Sequence, residues 1–158
     1  MSKSKYRKTI IVLAFSCLWM QVSCSSPNWS ENDLLRTFNF STLQKKKISR
    51  YNFIFIIPNS GCSGCISNAE SFFIEHQNQK SNKILFIFNR IISKKKFNIR
   101  FKSYTEGFSN VIVFDGIDSY PEIYPVILIK KQANINQHFV SPKEDGIKIL
   151  VEELKKNQ

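Results

Sequence analysis

Cys62 and Cys65 are separated by two residues in Pro58-Asn59-Ser60-Gly61-Cys62-Ser63-Gly64-Cys65, directly after the apolar run Tyr51-Asn52-Phe53-Ile54-Phe55-Ile56-Ile57. Two thiols at this spacing serve redox exchange, one half of a metal site, or an inert bridge. A redox pair needs two sulfurs that reach each other, one of them accessible and partly ionised near neutral pH. At the start of a helix the first turn brings both sulfurs within bonding distance. The free N–H groups there carry about half a positive charge, which favours a thiolate. Cys62, at the open end, is then the nucleophile, and Cys65, one turn in and more shielded, resolves the mixed disulfide. Ser63-Gly64 is small enough for a substrate backbone to come close, and Gly61 lets the chain turn sharply from strand to helix.

The two rival chemistries ask for more. Structural zinc takes four ligands, so with two thiols it requires His76 and His138 to converge, one from a helix face and one from an edge strand. A copper site using two thiols and one histidine is less demanding, and the alternative function is a binding module that holds a peptide or a copper ion on this face with little redox turnover. An inert bridge between Cys62 and Cys65 closes too small a loop to gain much chain-entropy stabilisation. Redox chemistry is favoured because the ends of parallel strands are where sites of α/β folds lie. It calls for no metal and no organic cofactor.

The elements that must position this pair are legible as changes of period. Residues 50–57 form a β-branched and aromatic run closed by Pro58-Asn59, which reads as a buried strand. From Cys62 onward, Cys65, Ile66, Ala69, Phe72, Phe73 and His76 recur at helical spacing, with Ser67, Asn68, Glu70 and Ser71 on the solvent side. Residues 83–89 and 110–116 read as second and third strands, with a short helix over 92–104 between them. Residues 125–131 and 134–140 read as a hairpin. Ser141 then caps a terminal helix with Pro142 in its first turn and Ile147, Leu150, Val151 and Leu154 on its apolar face. Residues 33–47 form an additional N-terminal helix with Leu34, Leu35, Phe38 and Leu43 inward. The fold class is α/β, a central mixed sheet of about four to five strands flanked by helices, parallel early and antiparallel at the late hairpin.

The N-terminus has another grammar. Basic residues 1–8 precede an apolar run, residues 9–20, and then Gln21-Val22-Ser23-Cys24, the order of a secretory signal. The run is too short to span a membrane, which takes about 20 residues. Ser23-Cys24 resembles the lipobox of bacterial lipoproteins, with Gln21 where leucine usually stands. That resemblance implies a lipid on Cys24, which becomes the mature N-terminus. It would also account for the odd thiol, leaving Cys62 and Cys65 as a self-contained pair in a compartment where disulfides persist. The domains are therefore 1–23 signal peptide, 24–33 lipid-anchored tether and 34–158 a single domain. The chain is expected in the cell envelope, held to the membrane through Cys24 and facing the periplasm or exterior.

The formal net charge is +11, and removal of Lys3, Lys5, Arg7 and Lys8 with the leader leaves +7. The remaining charge is spread over lysine runs at 45–47, 94–96 and 130–131 and the C-terminus, whereas a nucleic-acid face wants such clusters interleaved with aromatics and glycine on one surface. Export argues against that partner as well. These runs read as solvated faces with some attraction to an anionic membrane.

From Arg50 to Lys156 the chain resembles the thioredoxin-like superfamily. Three features carry the likeness: a hydrophobic strand running into C-x-x-C and a helix, Tyr124-Pro125-Val126-Ile127-Leu128-Ile129-Lys130-Lys131 far downstream, and a terminal amphipathic helix. The resemblance implies that Pro125 opens its strand with a cis bond beside the dithiol. Pro125 and Tyr124 are then substrate-side residues that present backbone to extended segments of envelope proteins. It also implies a redox partner that resets the pair. The lipoprotein-like leader and the 63 residues from Cys62 to Pro125 resemble membrane-anchored thiol–disulfide oxidoreductases of the envelope. Gly61 stands where thioredoxins usually have Trp, Ser63-Gly64 replaces Gly-Pro, and Ile56 occupies the place of a buried Asp.

Overall fold

The computed structural model describes residues 42–77, 83–89, 91–114, 123–132 and 134–157. In chain order these form α1 (Thr42–Ile48), β1 (Phe53–Pro58), α2 (Ser63–His76), β2 (Ile84–Asn89), α3 (Lys94–Thr105), β3 (Val111–Val113), β4 (Val126–Lys131), β5 (Asn134–Ser141), β6 (Glu144–Asp145) and α4 (Gly146–Lys156). Cys24, Leu34, Leu35 and Phe38, with the expected leader and tether, lie outside the described residues, as does the side chain of Leu43. Among the described residues no helix is long and apolar enough to cross a membrane.

The strands make one six-stranded mixed sheet in the order β3-β2-β1-β4-β5-β6. β1 pairs in parallel with β2, and β2 with β3. The pairs β1–β4, β4–β5 and β5–β6 are antiparallel. Helices link the parallel strands, as parallel pairing requires.

The apolar runs of β1, β2 and β4 are continuous rather than alternating because both faces of the sheet are buried. Phe53, Phe55, Ile57, Phe86, Phe88, Ile127 and Ile129 share one core with α2, α3 and Leu150 of α4. Ile54, Ile56, Leu85, Ile87, Val126 and Leu128 face the other way, together with Ile48 of α1. A phenylalanine ladder fastens the first face. Phe73 meets Phe86 at 5.0 Å and Phe88 at 4.9 Å, both edge-on, and Phe88 meets Phe97 edge-on at 5.1 Å. Such pairs add about 0.5–1.5 kcal/mol each beyond area burial. They fix α2 and α3 side by side over β1 and β2.

The strand count exceeds the expected four to five because of β6, and β6 also moves the terminal helix. Ser141 does not cap that helix. Its hydroxyl accepts the N–H groups of Lys143 and Glu144 and closes a turn. Glu144 accepts the Phe139 N–H through Oε2, while its Oε1 meets His138 Nδ1 at 2.8 Å. These bonds hold residues 144 and 145 against β5. The helix starts only at Gly146, capped by Asp145 Oδ1, which accepts the Lys148 N–H. Its apolar face is as expected, with Leu150 fully buried and Ile147, Val151 and Leu154 packed on the core.

Candidate functional site: a disulfide at a strand-to-helix turn

β1 delivers the chain to the sheet's upper edge, where Asn59 N–H donates to Asn89 O at the end of β2. Cys62 is the N-cap of α2, in extended conformation, and its side chain makes no capping bond. Its carbonyl accepts the first helical bond, from the Ile66 N–H. Cys62 and Cys65 are disulfide-bonded, their Cα atoms 5.4 Å apart. Cys65 lies inside the core, 8% exposed. Cys62 is only half-buried and packs on the rim of the same core. The first turn of α2 contains no acidic residue, so nothing there offsets the positive end of the helix dipole that Cys62 faces.

The register of the sheet brings the late proline to this turn. β1 and β4 pair from Phe53↔Ile129 to Ile56↔Val126, so one further step sets Pro125 opposite Ile57. Beyond it, Ile123 O accepts the Cys62 N–H at 3.1 Å. Tyr124 lies half-buried on the same core as Cys62, and Pro125 is buried. Residues 123–125 and the cysteine pair are thus neighbours despite the long sequence between them. The expected cis bond is not found. No peptide bond among the described residues is cis, and Pro125 enters β4 directly, its carbonyl accepting the Val140 N–H.

Gly61 is what permits this approach. Its φ of +141° lies in a region that L-residues rarely adopt, and a Cβ there would stand 2.2 Å from Ile123 O. Sequence reading assigned Gly61 to the turn but could not supply its partner, which is 62 residues away.

Ile56, where thioredoxins usually carry a buried Asp, is fully buried on the opposite face of the sheet from Cys65. Glu70, assigned to the solvent side of α2, is 6% exposed. Its Oε2 meets Arg100 of α3 at 2.6 Å. Burial pushes its carboxyl above the ordinary glutamate range, and the Arg100 charge and hydrogen bond pull the other way. Periodicity alone does not reveal this pairing, because the partner Arg100 belongs to the next helix.

That balance has a sign. A carboxyl whose folded pKa is raised contributes stability that is fully present below its unfolded value and is lost as pH rises through the folded value. Thermal stability of the parent relative to Glu70→Gln is therefore expected to fall as pH rises upward from the ordinary glutamate range, about 4.3. Melting curves across the acid-to-neutral range check it. A parent-minus-variant difference that stays flat or grows with pH contradicts it.

The histidines do not join the cysteines. His76 ends α2, stacked on Phe72 at 4.0 Å with Nδ1 3.0 Å from Phe72 O. A helix of 14 residues puts it about 20 Å from the Cys62 end. His138 is engaged with Glu144 in β5–β6. Among the described residues no three His, Cys, Asp or Glu side chains are grouped to hold a metal ion. The copper and zinc readings lose the histidine that each required.

Beside the disulfide, a cleft of about 490 Å³ opens between α2 and α3. Gly61 and Ser63, the two neighbours of Cys62, line its head, and Glu70, Lys96, Phe97 and Arg100 line its length. The sequence had offered Lys96 only as part of a lysine run. Compared with protein-family models, curated proteins and solved structures, the chain has no match in any of the three.

Proposed function

We propose that this chain is a thioredoxin-like thiol–disulfide oxidoreductase, tethered to the cell envelope through a lipid on Cys24, that exchanges disulfides with extended segments of envelope proteins through Cys62 and Cys65. The single observation that carries the reading is the asymmetry of the pair. A half-exposed Cys62 sits at the N-terminus of a helix, and a buried Cys65 sits one turn behind it. Dipole and exposure favour the same sulfur as thiolate and as target. Further support comes from the sheet order around β1 and from Ile123, Tyr124 and Pro125 alongside the turn.

Starting from the disulfide, a partner thiolate attacks Cys62 Sγ. The Cys62–Cys65 bond breaks and Cys65 leaves as a thiolate. A second partner thiolate then attacks the partner's own sulfur in the mixed disulfide and expels Cys62. The partner dithiol has lost two electrons, the pair has gained them, and two protons pass from the partner thiols to solvent or to the new cysteine thiolates. Run backwards, the same steps reduce a partner disulfide. Tyr124 and Pro125 act as the substrate-side surface, and a second redox partner resets the pair.

An insulin-reduction assay with dithiothreitol as electron source tests the reading. Precipitation of insulin chains faster than with dithiothreitol alone is the expected result. A rate equal to that background would overturn it.

A further inference from the structure

The cleft that begins at the neighbours of Cys62 is cationic, and this bears on which segments the pair would engage. We infer that it selects partner segments carrying acidic side chains about three residues from the reacting cysteine. The inference rests on the exchange reading above and adds the substrate class to it.

Three observations point this way. First, α3 opens with Lys94, Lys95 and Lys96 and has no acid in its first turn. Lysines there oppose the helix dipole and weaken the helix, so the sequence keeps positive charge at this end against local stability. Second, Lys96 is exposed and has no carboxylate partner among the described residues, while Arg100, one turn further, stands with its guanidinium 5.0 Å over the Phe101 ring and bonded to Glu70. The buried carboxylate and the ring hold Arg100 in place on the cleft wall. Its side chain remains 58% exposed, leaving N–H donors for an incoming carboxylate. Third, the spacing suits an extended chain. From Ser63 to Glu70, and so to the Arg100 that meets it, α2 climbs about 10 Å at 1.5 Å per residue. An extended peptide covers that in about three residues. Because α2 and α3 both follow strands of the parallel part of the sheet, they run in the same direction. Lys96 therefore lies nearer the disulfide and Arg100 further along.

The test uses the reduced protein and cysteine peptides activated as mixed disulfides with 4-thiopyridine. The Cys62 thiolate attacks the peptide sulfur, the peptide–thiopyridine bond breaks, and 4-thiopyridone leaves and is read by absorbance. The Cys65 thiolate then attacks Cys62 Sγ and frees the peptide thiol, so two electrons pass from the pair to the peptide disulfide. Peptides carry Glu or Lys at the third and fourth positions before or after the cysteine. At low ionic strength at least one acidic peptide is expected to react about fivefold to tenfold faster than its basic counterpart, with the preference fading as salt rises. Lys96→Glu, and Glu70→Gln combined with Arg100→Gln, are expected to remove the preference, read as the ratio of acidic to basic peptide rates after each is divided by that variant's own rate with neutral 4,4′-dithiodipyridine. The double replacement avoids stranding a buried carboxylate.

Equal rates for acidic and basic peptides, a preference that persists in about 1 M salt where the screening length is about 3 Å, or a preference untouched by these variants would overturn the inference. Exchange with 4,4′-dithiodipyridine would stand in each of those cases. A reduced pair inert to 4,4′-dithiodipyridine would instead overturn the exchange reading itself.

Discussion

Replacing Cys62 by serine is expected to lower catalysed disulfide exchange on the order of a thousandfold or more, to the background of the reductant alone. The thiolate is the nucleophile in every step, and a serine hydroxyl neither ionises near neutral pH nor forms a mixed disulfide. Cys65→Ser separates the two roles. Cys62 remains half-exposed at the helix end, so attack proceeds, but no buried thiolate stands behind it to release the partner. A long-lived mixed disulfide through Cys62 is expected, visible as a mass increase that dithiothreitol reverses. Full activity in Cys62→Ser, or partner trapping through Cys65 instead, would contradict the assignment of roles.

The second large effect lies at Gly61. Gly61→Ala adds a methyl group that would stand 2.2 Å from Ile123 O and 2.9 Å from its carbonyl carbon, at a φ of +141°. Both contacts are with backbone, so no side chain can swing aside. Either the turn before Cys62 or the strand entry at residues 123–125 must move, and the bond from Cys62 N–H to Ile123 O opens. The expected cost is about 3 kcal/mol or more, combining backbone strain with a forced displacement. For a domain of this size that lowers the melting temperature by roughly 10 °C or more. Exchange should fall with it even at temperatures where the variant stays folded, because Ile123, Tyr124 and Pro125 no longer flank the pair. Gly64→Ala is the internal control, since a Cβ there meets nothing within 4 Å. A Gly61→Ala protein as stable as Gly64→Ala would show that the close approach of the two segments is not present in solution.

Much of the frame was legible because local pattern and tertiary packing agree. The apolar runs of β1, β2 and β4, β-branched and aromatic, read as buried strands, and Ala69, Phe72 and Phe73 mark the inward side of α2 by period alone. The antiparallel hairpin of β4 and β5 followed from two apolar runs in quick succession. What escaped was decided by partners distant in sequence. Ser141-Pro142 is a sound local start for a helix, yet Glu144 is claimed by Phe139 and His138, and the start moves to Gly146. Glu70 has the sequence surroundings of a solvated residue, and only Arg100 from the next helix explains its burial. The absence of an acid six residues before Cys62 was plain in the sequence, where Ile56 stands, and the fold adds that Ile56 faces the other side of the sheet. At the cysteine pair, local signal sufficed to place Cys62 and Cys65 at the start of α2 within bonding distance. The Ile123 contact and the cationic cleft needed the fold.

The central claim is that Cys62, in the reduced protein, is an accessible thiolate held at the positive end of α2 with Cys65 shielded behind it. The most direct measurement is the pH dependence of iodoacetamide alkylation, with the modified residue identified by peptide mass. The account predicts that Cys62 is alkylated first and that its rate reaches half-maximum below the free-cysteine value of about 8.5. Alkylation of Cys65 first, or a Cys62 half-maximum at or above that value, would contradict it.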